Sequence, residues 1–264
     1  MLKIIHFSDI HISAPLSSGS ALFDKRLIGY LNGAIFRRHA YKQERLEKAV
    51  PMILNEKPDV IVFTGDATTC SQPEEFEKTL NLLQPLIKSG IPILYTPGNH
   101  DCYVRNPKCV DALREFRIAL TGSDTAPAKF EMEDCSFLIF HSAIPTSPVL
   151  SCGYFNQDSL DFLKKECTAK TKPLIALTHF PWMMIEKGIT GSRRKLYGAE
   201  DARKHVESGE IDLVLCGHLH KPHDLVDHNG KGEICAGSLT KKGIFRRIIY
   251  KDNMFFTENI YTDF

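Results

Sequence analysis

Five short clusters of oxygen- and nitrogen-bearing side chains punctuate the 264-residue chain: Asp9-Ile10-His11, Gly65-Asp66, Gly98-Asn99-His100-Asp101, His179 and Gly217-His218-Leu219-His220. Carboxylate and amide oxygens with imidazole nitrogens, and no thiolate among them, suit borderline divalent metals such as Mn, Zn, Fe or Co. The candidate ligands are Asp9, His11, Asp66, Asn99, His179, His218 and His220. They are too many for one ion that must keep a position for water. They suit two ions sharing a bridging carboxylate, an arrangement that clamps the attacking and leaving oxygens of phosphoryl hydrolysis. Singly, each cluster has an ordinary reading: a capping Asp, a turn, a satisfied core His. The set, in this order, is what points to a metal centre.

Strands must bring these clusters together. Apolar or β-branched runs at Lys3 to Phe7, Val60 to Thr64, Ile91 to Tyr95, Ser136 to His141, Leu174 to Thr178 and Leu213 to Cys216 read as short strands bounded by turn residues. Nearly every one ends in a cluster. Helical periodicity fits Leu22 to Arg38, Gln43 to Asn55, Glu74 to Ser89, Lys108 to Ala119, Gln157 to Cys167 and Glu200 to Glu207. After Pro222 come strands at Leu225 to His228, Glu233 to Ala236, Phe245 to Tyr250 and Met254 to Ile260, with Asn229-Gly230 as a hairpin turn. Strand–helix alternation followed by an antiparallel tail argues for an α/β layered domain. Parallel strands place their C-termini on one edge, so residues distant in sequence converge there. No repeat, low-complexity tract or linker divides the chain, so residues 1–264 read as one domain.

Composition narrows the function. Lys+Arg 33 against Asp+Glu 32 gives a net charge of +1, which argues against a nucleic-acid partner bound through bulk charge. No apolar run is long enough to span a bilayer and no signal peptide is visible, so the expectation is a cytoplasmic protein. The eight Cys contain no C-x-x-C and read as small buried hydrophobes in a reducing compartment, with no structural Cys–metal site expected. His6, His39, His141, His205, His223 and His228 default to structure or surface.

With these five motifs, which span about residues 4 to 240, the sequence resembles the calcineurin-like metallophosphoesterases. The resemblance implies a four-layer α-β-β-α sandwich in which two sheets pack face to face between helices. It implies that Asp9, His11, Asp66 and His220 hold one ion, and that Asp66, Asn99, His179 and His218 hold the other, with Mn²⁺ as the expected metal and Fe, Zn or Co as alternatives. A hydroxide bridging the two ions would attack a phosphodiester or pyrophosphate in line. His100 would stabilise the transition state or protonate the leaving oxygen, and Asp101 would orient a neighbouring His. The chain departs from the protein phosphatases of this superfamily. They carry Gly after Asp-x-His and Asp-Arg-Gly after Gly-Asp, where this chain has Ile12 and Ala67-Thr68-Thr69-Cys70. A protein phosphatase is therefore disfavoured, and which group orients His100 is open.

Substrate choice should lie outside the motifs. The segment from Phe23 to His39 places Phe23, Leu27, Leu31, Ala34 and Ile35 at helical spacing beside Lys25, Arg26, Arg37 and Arg38. It reads as a helical cap over about residues 20–45 that receives an apolar chain and its phosphates through Arg26, Asn32, Arg37 and Arg38, or as a core-packing helix with a solvated basic face. A second segment, Trp182 to Lys195, follows His179 and reads as a flap carrying Arg193 and Arg194, or as an exposed basic loop. The Lys-Arg-x-x-Gly-x-Leu-Asn helix is similar to bacterial metallophosphoesterases that include UDP-2,3-diacylglucosamine pyrophosphatases of lipid A synthesis. That similarity implies a nucleotide-lipid substrate met peripherally at the inner face of the membrane. Cyclic-nucleotide or other small-molecule phosphodiesterases are the enzymatic alternative, and a metal-poor binding scaffold is the alternative of another class.

Overall fold

In chain order, a computed structural model of the protein places strands β1 (Leu2–Phe7), β2 (Val60–Phe63), β3 (Ile93–Tyr95), β4 (Ala128–Glu131), β5 (Ser136–Ile139), β6 (Gly153–Tyr154), β7 (Leu174–Leu177), β8 (Leu196–Tyr197), β9 (Leu213–Cys216), β10 (His223–Val226), β11 (Gly232–Cys235), β12 (Ile244–Lys251) and β13 (Met254–Tyr261). The helices are α1 (Gln43–Asn55), α2 (Pro73–Lys88), α3 (Pro107–Thr121), α4 (Gln157–Thr168), α5 (Ala199–Glu207) and the short α6 (Leu239–Lys242). The structure describes residues 1–16, 25–27, 40–147, 149–184, 191 and 193–263. Of the helix expected over 22–38, only residues 25–27 are described, and they are helical.

The strands form two large sheets, in the orders β13-β12-β1-β2-β3 and β10-β11-β9-β7-β5-β4. β1, β2 and β3 run parallel, as do β5, β7, β9 and β11. The tail is not a separate unit. β12 pairs antiparallel with β1, so the two ends of the chain build one sheet, while β10 and β11 extend the other around the expected hairpin. The period of two along each strand explains the layering. In β1, Ile5 and Phe7 face α1 to α3 in a core with Leu46, Ile53, Phe76, Leu83 and Phe116. Ile4, one residue away, faces the second sheet with Val60, Val62, Phe137, Ile175, Leu213 and Leu215. Leu138, Ala176 and Val214 point the other way, onto Leu160 and Leu163 of α4 and Ala202 and Val206 of α5. Both faces of both sheets are covered, so these strands read as continuous apolar runs. The result is the four-layer α-β-β-α sandwich. No helix among the described residues is long and apolar enough to cross a membrane.

Candidate metal centre

The strand exits are not extended. Asp9, His11, Asp66, His218 and His220 all hold positive φ, between 46° and 69°, a region non-glycine residues seldom occupy. Such backbone persists only where its surroundings over-determine it. The Asp9 N–H donates to the Gly65 carbonyl at 2.9 Å, and the His11 N–H to the Asp66 carbonyl at 2.9 Å. The His218 N–H donates to Asp9 Oδ2 at 3.1 Å. Left-handed turns at alternate residues thus let Asp9 and His11, and likewise His218 and His220, face one point. Close approach also requires two glycines. A Cβ on Gly98 would lie 2.2 Å from Asp66 Oδ1, and one on Gly217 would lie 2.0 Å from Ser8 Oγ.

Asp66 stands at the middle. Its Oδ2 is 3.5 Å from His11 Nε2 on one side and 3.4 Å from His179 Nε2 on the other. Asp9 Oδ1 is 3.1 Å from His220 Nε2, and His11 Nε2 is 3.0 Å from His220 Nε2. Ligand atoms of Asp9, His11, Asp66 and His220 all lie within 4.8 Å of one another. Across Asp66, His218 Nδ1 meets Asn99 Oδ1 at 3.0 Å, and the His179 and His218 ring centroids are 5.2 Å apart. The structure therefore gathers the other six candidate ligands on the two sides of Asp66.

Three observations show that this donor set fits metal ions. First, the Nε2 atom of His218 is buried without a hydrogen-bond partner, a cost of about 1–3 kcal/mol that an ion would relieve, while Nε2 of His179 and Oδ1 of Asp9 make no hydrogen bond beyond the ion-pair contacts above. Second, the His179 ring is turned for ligation. Its Nδ1–H donates to the Thr64 carbonyl at 2.7 Å, which leaves the Nε2 lone pair toward Asp66. Third, the charge calls for a cation. Burial opposes ionisation of Asp66, yet His179, His100 and His11 hold its carboxyl well below the usual range. Burial likewise disfavours a charged His179, but Asp66 raises it to about 9. A buried carboxylate that forces a proton onto its neighbour is satisfied equally by a metal ion.

The open question of what orients His100 has a backbone answer. Its Nδ1–H donates to the Thr69 carbonyl at 2.6 Å, in the segment where the protein phosphatases would carry Asp-Arg-Gly. Asp101 departs from expectation, since the partners seen for it do not include a histidine. It accepts from the N–H groups of Thr68 and Gly98, each at 2.9 Å, and from the Tyr95 hydroxyl at 2.7 Å. It therefore ties the Asp66 loop to the Asn99 loop. Burial and the nearby Asp66 raise its carboxyl to about 6.

A cavity of about 420 Å³ opens over the centre, lined by Tyr41, His100, Ser151, Arg194 and Lys241 together with the ligand candidates. Arg194 was expected; its guanidinium donates to the His218 carbonyl at 2.9 Å. Arg193 is exposed. Arg26 contradicts its expected substrate role. Only 2% of it is accessible, and its guanidinium donates to Cys109 Sγ at 3.4 Å, on α3. Asn32, Arg37 and Arg38 lie outside the described residues. Tyr41, Ser151 and Lys241 were missed, because each comes from a loop or short helix that carries no motif. The Tyr41 hydroxyl is 3.1 Å from His220 Nδ1.

Comparison with known proteins agrees with this fold and family of motifs. The chain is 26% identical over 234 residues to a 3′,5′-cyclic-nucleotide phosphodiesterase of Nostoc sp., covering 86% of this chain and 75% of the relative. It is 23% identical to a cAMP/cGMP dual specificity phosphodiesterase of Mycobacterium tuberculosis over 82% of this chain, but spans only 61% of that protein. The fold matches that of a dimetal phosphatase from Danio rerio with a TM-score of 0.68 at 13% identity, covering 99% of this chain and 96% of the other. Residues 2–222 match the sequence profile of the calcineurin-like phosphoesterases, and the chain belongs to that family.

Proposed function

We propose that the chain is a two-metal phosphodiesterase whose substrates are small phosphodiesters, with 3′,5′-cyclic nucleotides as the class. The observation that carries this reading is the compact cavity of about 420 Å³ directly over Asp66, within the size range of small-ligand sites. Relatives described as cyclic-nucleotide phosphodiesterases support the same choice.

When bound, divalent ions would polarise the phosphoryl oxygens and lower the pKa of water. Asp66 would be shared between two ions, with Asp9, His11 and His220 on one side and Asn99, His179 and His218 on the other. Arg194 and Lys241 bring positive charge to the cavity wall, where the phosphate would sit. The hydroxyls of Tyr41 and Ser151 add polar contacts at its rim. With His100 Nδ1 held by the Thr69 carbonyl, Nε2 is the nitrogen that passes a proton to the departing ester oxygen. Hydrolysis of a cyclic ester adds one water across the P–O3′ bond and leaves a 5′-phosphate and a 3′-hydroxyl.

The nucleotide-lipid reading, pyrophosphate cleavage in UDP-2,3-diacylglucosamine, rests on the segment Phe23 to His39, most of which lies outside the described residues. A scaffold without metal would be expected to have lost donors, and all seven are present. The deciding experiment is a hydrolysis panel with Mn²⁺ over cyclic AMP, UDP-2,3-diacylglucosamine and a short DNA duplex. Turnover of cyclic AMP well above the others is expected. Preference for the nucleotide lipid would replace this substrate class while leaving the two-metal chemistry intact.

A further inference from the structure

A second cluster of metal-type side chains lies on the helix-covered face of the other sheet. In the strand register, His223 of β10 pairs with Cys235 of β11, and Cys235 pairs with Cys216 of β9. These three residues therefore stand in a row across neighbouring strands, with their side chains on one face. Glu233 lies two residues before Cys235 and so shares that face. Cys216, Cys235 and Glu233 are fully buried, and His223 is half-buried. Ligand atoms of Cys216, His223 and Glu233 lie within 4.8 Å of one another. Cys235, in register with both Cys216 and His223, donates its thiol to the Gly217 carbonyl at 3.3 Å. None of the four belongs to the centre described above.

We propose that Cys216, Cys235, His223 and Glu233 form a second metal site, taking one borderline-soft divalent ion of the zinc class.

Two thiols, an imidazole and a carboxylate are a donor set suited to tetrahedral zinc and unsuited to magnesium or calcium. His223 Nε2 lies 3.1 Å from Glu233 Oε1, near the edge of about 3.4 Å in a tetrahedron with bonds of about 2.0–2.1 Å. An ion would replace the proton these two atoms now share, and both thiol protons would leave to solvent. Glu233 is held firmly. It accepts the N–H groups of Trp182 at 2.5 Å, Met183 at 2.8 Å and Met184 at 3.0 Å. An occupied site would pin the segment after His179 to the end of β9, directly before Gly217-His218. Cys216 and Cys235 are far apart in sequence with no C-x-x-C, which is why spacing alone predicts no cysteine–metal site.

Cobalt titration of the reduced, full-length protein tests this. The centre around Asp66 has only nitrogen and oxygen donors, so a near-ultraviolet thiolate-to-cobalt charge-transfer band reports cysteine ligation. One equivalent of cobalt should develop that band in the wild type and in Asp66→Ala, and zinc should bleach it. Cys216→Ala/Cys235→Ala should abolish it, and the milder His223→Gln should weaken cobalt affinity by at least about tenfold. Wild-type protein that takes up cobalt without the band overturns the proposal, as does a band that survives in a folded double cysteine variant.

Discussion

His100 Nδ1 and the Thr69 carbonyl oxygen, 2.6 Å apart, do the work of the missing second carboxylate. A carbonyl can only accept, so it fixes the proton on Nδ1 and presents Nε2 to the cavity. His100→Ala is expected to lower kcat by about 10²–10⁴-fold, the usual range for a lost acid or base. Metal content should stay near that of the wild type, which elemental analysis would check. Loss of metal would instead make His100 a ligand.

The Tyr95 hydroxyl donates to Asp101 at 2.7 Å, and both groups are buried. Asp101 in turn holds the backbone of Thr68 and Gly98. Tyr95→Phe removes one donor from a buried carboxylate and should cost about 1–3 kcal/mol in urea unfolding. Activity should fall with it, because the two loops that carry Asp66 and Asn99 lose a shared anchor. Unchanged stability would mean that the network closes without this hydroxyl.

Arg194 and Lys241 both line the cavity. If they bind phosphate before the bond breaks, Arg194→Ala and Lys241→Ala should raise KM more than they lower kcat, by about tenfold each for a charge-assisted contact near 1.5 kcal/mol. Steady-state kinetics on cyclic AMP separates the two parameters. A fall in kcat at constant KM would place these cations in the transition state only.

Acid sensitivity follows from two histidines outside the centre. Burial, with Arg246 beside it, pulls His6 down to about 3. Burial, with Arg117 near, does the same to His141. In the unfolded chain both titrate near about 6.5, so below that pH the unfolded state binds the extra protons. Stability should therefore be lost as pH falls from about 6.5 toward 3. Urea midpoints of metal-free protein across this range should show the fall, and His6→Gln should flatten part of it. A midpoint independent of pH would contradict the burial argument.

The metal-type residues were legible because each closes a short apolar run, and strand ends converge whichever sheet they belong to. Layer and helix faces followed from period two and period 3.6. The union of β1 with β12 was not legible, since no local pattern says which strand pairs with which. Nor was the role of Thr69, which acts through a carbonyl that every residue possesses. Arg26 misled for a related reason. Basic residues at helical spacing do not say which of them turns inward, and this one is buried against Cys109. Lys241 and Tyr41 reach the cavity only through tertiary packing.

The central claim is that Asp66 serves both halves of the centre, as its position between His11 and His179 indicates. The most direct test is Asp66→Ala, assayed for bound metal by elemental analysis and for hydrolysis of bis-p-nitrophenyl phosphate with Mn²⁺. The account predicts that the metals of this centre and turnover are lost together. Turnover retained at the wild-type level would contradict it.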